Sequence, residues 1–392
     1  MQDNNITTEN WGFPPYNRWG FQHVQNLFPT TRIRRGAGPI SALPHAPSVL
    51  DDLTFTNTSG VSSNVKQMLA DTYTDAFLVL KDGVIVTEQY FTNPYGAMQA
   101  DSHHLMNSVT KSFIGVLVGI QIDQGKLQVD QRVADILPEL AHTAFADTTI
   151  RTALDMSAAV AFDEDYANPQ ADFWVETSVV GWRPALVKPG APKSLQDYAL
   201  SLTQTDQQEG EKYHYRTVLT NVLGMCLQAV TGVPLPALLE QQLWSKLGPE
   251  QDACIVVDRT GFPYVGAGMN ACARDLARFG QLIVQQGRFG DEQIVSQAWI
   301  DDIRYADPHA KQIFAASEYG EFLPGGHYRN KFWVSDAGRG VLLAIGIHGQ
   351  TIHMNMSTGT VIVKFSSQPE SADLELFTDT FAAMDAIAES LG

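Results

Sequence analysis

The first sustained apolar run in the chain is Ala76-Phe-Leu-Val-Leu80, followed closely by Val84-Ile-Val-Thr-Glu-Gln-Tyr90. Both are rich in β-formers, and Lys81-Asp82-Gly83 joins them. Asp-Gly between two such runs predicts a hairpin. A different pattern starts near Ser108. From there to Gln124 the spacing predicts a helix, with Asn107 as its N-cap and Gly125 as its stop. Positions 113–120 of that helix are apolar on every side, so it belongs in the middle of the protein. Further helical patterns cover 221–230 and 270–286, the second halted by Gly287. Residues 340–348 and 359–365 read as strands, and 372–391 as a closing amphipathic helix.

Strands near both ends with helices between them predict an α/β (α+β) fold built on a discontinuous domain. Residues 66–130 and 286–392 would form the sheet domain, and 131–285 a mostly helical insertion. Residues 1–65, rich in Asn, Pro, Thr and aromatics with little periodicity, are expected to be an irregular lead-in packed on the core.

Composition narrows the function classes. The 392 residues are 44% hydrophobic and 18% charged, enough to bury a large core and to exclude wholesale disorder. Lys plus Arg is 26 against 43 Asp plus Glu, a net charge of −17. Only Arg32, Arg34 and Arg35 approach a basic cluster, so no nucleic-acid partner is expected. Cys226, Cys254 and Cys272 lack C-x-x-C spacing, which suggests buried thiols rather than disulfides or a zinc site. The stretch from Met1 to Asn10 lacks the charged and apolar regions of a signal peptide, and no window has the apolar length of a membrane span. A soluble, cytoplasmic protein without metal or cofactor is the expectation.

Several common motifs are missing: H-E-x-x-H, the Walker A loop and G-x-S-x-G. The segment 266–271 fits the loose dinucleotide fingerprint but lacks a βαβ context. His103-His104 has no partner carboxylate at metal-ligand spacing. The informative motif is Ser108-Val109-Thr110-Lys111. On a helix, residues i and i+3 share a face, so the Ser108 hydroxyl and the Lys111 amine can meet. At a helix start the Ser108 N–H has no intrahelical acceptor and is free to hold an oxyanion. Burial would depress the Lys111 pKa and make a neutral, proton-accepting amine accessible. The competing reading is an ordinary helix-start serine with a solvated lysine one turn on. Ser63-Asn64-Val65-Lys66 repeats the spacing without a buried helix behind it.

A hairpin followed by Ser-x-x-Lys at the head of a buried helix resembles the serine β-lactamase and penicillin-binding superfamily. The stretches 125–139, 149–156 and 273–280 extend the likeness. Asn17–His23, Asp71–Leu80, Asp163–Pro169, Gly181-Trp182-Arg183 and Gly346–Gln350 are similar to the nylon-oligomer hydrolases (6-aminohexanoate-dimer hydrolases) and related carboxylesterases of that superfamily. The resemblance spans nearly the whole chain. It implies a β-lactamase/DD-peptidase-like fold, an antiparallel sheet flanked by helices with a mostly helical inserted domain. It also implies a homodimer.

Carried over by position, the resemblance makes Ser108 the acyl-accepting nucleophile and Lys111 its base partner. The superfamily's second motif is a tyrosine, usually in Tyr-x-Asn. Tyr166-Ala-Asn168 and Tyr328-Arg-Asn330 fit those letters, whereas Tyr215-Arg-Thr217 does not. Tyr215 is nonetheless assigned to it, because its surroundings, Gly210-Glu211 before and Thr220-Asn-Val-Leu223 after, match the nylon-oligomer enzymes. Tyr166 then becomes a substrate-facing residue, and Tyr328 a strand or loop aromatic. The third motif, Lys-Thr-Gly, does not occur. Gly346 takes the place of its glycine, and the Ile347 N–H would complete the oxyanion hole with that of Ser108. A competing register places His348 there. Without that lysine, which helps hold the substrate carboxylate in penicillin-recognising enzymes, β-lactam specificity is not expected.

The resemblance also places Tyr166 and Trp182 in the substrate pocket, although Trp182 reads equally as a core aromatic. Thr177 and Gly266 occupy the positions of polar grips on an aminohexanoate substrate, and neither supplies a carboxylate. The expected activity is that of a serine hydrolase acting through an acyl-enzyme on linear small-molecule amides or esters. Ester hydrolysis is the less demanding, since an alkoxide leaves more readily than an amine. A general short-chain carboxylesterase and a non-catalytic ligand-binding relative are the alternatives.

Overall fold

A computed structural model of the chain describes residues 5–187 and 189–392. The segment read for a leader therefore begins, at residues 1–4, outside the described residues. The two early apolar runs form strands β1 (Thr74–Lys81) and β2 (Val84–Tyr90). Asp82 and Gly83 turn between them at φ 50° and 79°, a pair of left-handed residues whose twist matches that of the strands. Five late strands complete the sheet: β3 (His327–Arg329), β4 (Phe332–Asp336), β5 (Val341–Gly346), β6 (Gln350–Asn355) and β7 (Thr360–Ser366). The order is β3-β4-β5-β6-β7-β1-β2, antiparallel throughout. Pairing of β7 with β1, Val363 opposite Leu78, ties the late part of the chain to the early part.

Both faces of this sheet are covered. Phe77 and Val79 of β1 pack with Met384 and Ile387 of the last helix. Ala76, Leu78 and Leu80 point the other way, into the main core. That core contains the helix expected to be central, α1 (Thr110–Asp123), buried from Thr110 to Gln121. Its approach to the β3–β4 hairpin requires glycine: a Cβ on Gly115 would lie 2.1 Å from the Asn330 carbonyl oxygen. Four further helices matter here: α2 (Asp172–Val179), α3 (Val218–Thr231), α4 (Ala273–Val284) and α5 (Leu374–Leu391).

The structure differs from the sequence reading in four places. Asn107 is not a side-chain cap. It stands at φ 46° in a 3-10 turn, Asn107–Val109, that precedes α1, and its amide donates to the Ile347 carbonyl at 2.9 Å. Helix α4, assigned by position to the helical insertion, packs on β1, β6 and β7, with Gly280 against Val361 and Ile352. The lead-in is not wholly irregular, since Thr30–Ile33 pairs with Ala253–Val256 in a second sheet that also holds Met269–Ala271 and His104–Leu105. Strands β3, β4 and β6 were not anticipated. Among the described residues no single helix is long and apolar enough to cross a membrane.

Candidate active site

Four segments meet around Ser108. The second sheet delivers the first of them: His104–Leu105 pairs with Met269–Ala271, the Met106 N–H donates to the Met269 carbonyl, and the chain then enters the 3-10 turn. Ser108 therefore sits on a turn clamped from both sides. Asn107 supplies the second clamp, through its bond to Ile347 at the end of β5. Asn is one of the few side chains that tolerates positive φ.

One turn later Lys111 points back at the serine. Its Nζ lies 2.7 Å from Ser108 Oγ, 3.0 Å from Thr217 Oγ1 and 2.8 Å from the Gly266 carbonyl oxygen. Lys111 is only 1% exposed. Burial drives its pKa down to about 8, although the buried carboxyls of Glu164 and Glu176 pull the other way. Ser63 and Lys66, the second copy of the spacing, fall instead on a strand and on the exposed first turn of a short helix.

Tyr215 enters from the segment before α3. Its side chain and that of Ser108 line the same cavity, and its ring lies 5.0 Å from Lys111 Nζ and stacks on Trp333. Burial and the nearby Glu164 charge hold its hydroxyl well above the usual tyrosine pKa, so it stays protonated. Tyr166 also faces this site and donates to Glu164 Oε1 at 3.0 Å. Tyr328, on β3, is a core aromatic against Tyr213 and Trp333.

At the end of β5, Gly346 touches the turn that carries Ser108. A Cβ there would lie 2.5 Å from the Met106 carbonyl oxygen and 3.0 Å from the Ser108 nitrogen. His348 N–H donates to the Ser371 carbonyl at 2.8 Å and so is engaged within the fold. The His348 ring bonds the Gln368 carbonyl at 2.8 Å, and burial lowers its pKa to about 4.

The cavity at Ser108 is small, about 60 Å³, and is lined largely by aromatic and aliphatic side chains, among them Tyr166, Tyr215, Tyr319, Trp333, Ile345 and Phe377. No charged side chain lines it among the described residues. An adjoining pocket that shares Tyr166, Tyr215 and Tyr319 is acidic, with Asp163, Asp165 and Glu318 in its lining.

Trp182, Thr177 and Gly266 do not line the cavity at Ser108. Trp182 is packed edge-on to Trp11 and Tyr264 and lines a neighbouring cavity with Asn107, His348 and Ile347, the last of which lines both. Thr177 is fully buried on α2, its hydroxyl bonded to the Trp174 carbonyl at 2.9 Å. Gly266 offers no side chain, but its carbonyl holds Lys111, and a Cβ would lie 2.4 Å from Thr217 Cγ2.

Sequence reasoning missed two buried carboxyls. Glu164 accepts from Thr217 N at 2.6 Å and from Thr217 Oγ1 at 2.5 Å, besides Tyr166. Burial raises its pKa, and Lys111 and these donors oppose the rise. Glu176, on α2, accepts from Asn221 Nδ2 at 2.9 Å, and Asn221 Oδ1 in turn accepts from Gly266 N at 3.0 Å. Burial and the Glu164 charge push Glu176 up to about 8. The available signal was Thr217, a hydroxyl where Tyr-x-Asn has an amide.

Comparison with known proteins places this arrangement. The Beta-lactamase family profile matches residues 61–384. Over 364 residues the chain is 32% identical to 6-aminohexanoate-dimer hydrolase of Paenarthrobacter ureafaciens, covering 93% of this chain and 88% of that one. A structure from Bacillus anthracis, named as a candidate 6-aminohexanoate-dimer hydrolase, superposes with a TM-score of 0.87 at 26% identity, covering 99% and 98% of the two chains. A family VIII carboxylesterase shares the fold, with a TM-score of 0.59 at 17% identity over 82% of this chain and 96% of that one. The chain belongs to the β-lactamase family, as a hydrolase of that fold related to 6-aminohexanoate-dimer hydrolase.

Proposed function

We propose that the protein is a serine hydrolase that works through an acyl-enzyme on neutral linear esters and, more slowly, on amides. The observation that carries this reading is the 2.7 Å contact between Ser108 Oγ and the buried, weakly basic Lys111 Nζ. Ser108 Oγ attacks the carbonyl carbon as Lys111 takes its proton. The carbonyl oxygen becomes an oxyanion held by the N–H groups of Ser108 and Ile347. Tyr215, kept protonated, donates to the leaving oxygen or nitrogen and is reprotonated from Lys111. Water then repeats the sequence on the acyl-enzyme, releasing the acid and restoring Ser108.

The cavity supports the ester preference. Its lining is aromatic and aliphatic and suits an uncharged acyl chain. An ω-amino-acid amide would need its charged groups held, yet Thr177 is committed to its own helix and Gly266 has no side chain to offer. The acidic side chains of the adjoining pocket disfavour a substrate carboxylate nearby, which also speaks against β-lactams. The kcat/KM for p-nitrophenyl butyrate is expected to exceed that for 6-aminohexanoate dimer by about 10²-fold or more, and nitrocefin turnover is expected to be slower still. Equal or better hydrolysis of the dimer would overturn the ester preference.

Gly346 gives a test of the oxyanion site. Gly346→Ala forces β5 away from the nucleophile turn, and a displacement near 1 Å costs on the order of 10²-fold in rate. The expected outcome is a loss of that size in kcat with p-nitrophenyl butyrate. Unchanged kcat in the folded variant would remove the Ile347 N–H from the mechanism.

A further inference from the structure

The mechanism above leaves one buried group beside the base without a task. Glu164 is 8% exposed, and its three hydrogen-bond partners are Thr217 N, Thr217 Oγ1 and Tyr166 OH, all arranged to donate to a carboxylate. Thr217 is shared between Glu164 and Lys111.

Counting hydrogens around Lys111 Nζ shows what that sharing does. An ammonium has three N–H groups for its three neighbours. A neutral amine has two N–H groups and one lone pair. The Gly266 carbonyl oxygen can only accept. Thr217 Oγ1, its own proton held by Glu164, also faces Lys111 as an acceptor. Both amine hydrogens are then used, and the lone pair is left for the remaining neighbour, Ser108 Oγ. With Glu164 removed, the Thr217 proton is free to turn toward Lys111 and occupy the lone pair that the reaction needs.

We propose that Glu164 is a positioning residue, whose carboxylate acts through the Thr217 hydroxyl to aim the Lys111 lone pair at Ser108. The inference rests on the acyl-transfer reading of the site. As the Oγ–carbon bond forms, the serine proton moves to Lys111, the carbonyl π pair moves to its oxygen, and the new ammonium is balanced by the Glu164 charge. Other groups facing Lys111 are Glu176, Tyr215 and Lys331; Tyr166 and Arg216 also face Glu164. Glu176 is linked to Lys111 by hydrogen bonds through Asn221 and Gly266 and shares no hydroxyl with it, and Lys331 is held by the Ala153 carbonyl.

The test is the pH dependence of Ser108 acylation, measured as the burst with p-nitrophenyl butyrate, in wild type, Glu164→Gln, Thr217→Ser and Thr217→Val. Labelling by a fluorophosphonate, mapped to Ser108, runs alongside. In Glu164→Gln the plateau rate is expected to fall by about 10- to 100-fold, within the range of general-base effects. Its acid limb is expected to move to lower pH, because the charge that raises the Lys111 pKa is gone. Thr217→Ser should keep the wild-type plateau, and Thr217→Val should lose as much as Glu164→Gln. A purely structural role would lower thermal stability without moving the limb. A Glu164→Gln plateau within about 3-fold of wild type with an unmoved limb would overturn the proposal. If that variant does not fold, equal plateaus for Thr217→Ser and Thr217→Val would do so. Absence of labelling at Ser108 in the wild type would instead overturn the acyl-transfer reading itself.

Discussion

Ser108→Ala is expected to lower kcat/KM for p-nitrophenyl butyrate by on the order of 10⁵-fold and to leave the fold intact. Loss of a nucleophile costs as much as loss of the whole catalytic group, because no other member can form the covalent intermediate. What remains is the contribution of the oxyanion N–H groups and the cavity. The structural cost is small. Ser108 Oγ is bonded to Lys111, which keeps its contacts with Thr217 and Gly266, and the neighbouring Tyr215 keeps its stacking on Trp333. The unfolding midpoint is expected to stay within a few degrees of wild type. Steady-state kinetics with circular dichroism melts check both halves. Retained turnover in a folded Ser108→Ala protein would dismiss the nucleophile assignment.

Lys111→Met should cost about 10³- to 10⁴-fold in kcat/KM, near the upper range for a general base. In the wild type the activity should rise with pH through about 8, as Lys111 loses its proton, and the methionine variant should lack that limb. Stability should move with pH in the same sense as activity. The folded-state pKa lies below the reference 10.5, so between about 8 and 10.5 the unfolded chain holds a proton that the folded one has released. Wild-type stability from this group therefore rises with pH across that window and is at its lowest below it. Lys111→Met removes the charge burial and should be no less stable than wild type at neutral pH, a trade of stability for activity. Denaturant titrations at pH 7 and pH 9 would check the sign. A methionine variant with wild-type kcat would refute the base assignment.

The legible parts of this fold are those written in local pattern. Val84–Tyr90 beside an Asp-Gly turn is a hairpin whatever surrounds it, and α1 is apolar on all sides because it touches protein on all sides. Strand β6 escaped notice for a related reason. Gln350-Thr-Ile-His-Met-Asn355 alternates weakly, yet every residue is buried, because Gln350 and His353 find partners within the fold. Helix α4 showed its apolar face in the sequence, but periodicity does not say which layer that face meets.

The site divides in the same way. Ser108 and Lys111 were readable because their relation is local, one helical turn. Glu164 was not, since it sits within Asp163-Glu164-Asp165, which reads as a solvated acidic loop. Only the return of Thr217 beneath that loop makes it buried, and the two are 53 positions apart. Trp182 reads in the sequence as either a pocket or a core aromatic, and it packs on Trp11 while lining a cavity that adjoins the one at Ser108 through Ile347.

The most direct measurement is the intact mass of the wild-type protein quenched during turnover of p-nitrophenyl butyrate, with the adduct located by peptide mapping. Acyl transfer through Ser108 predicts one butyryl group on the peptide containing Ser108, absent in Ser108→Ala. Turnover with no adduct at Ser108, or an adduct that persists in Ser108→Ala, would contradict it.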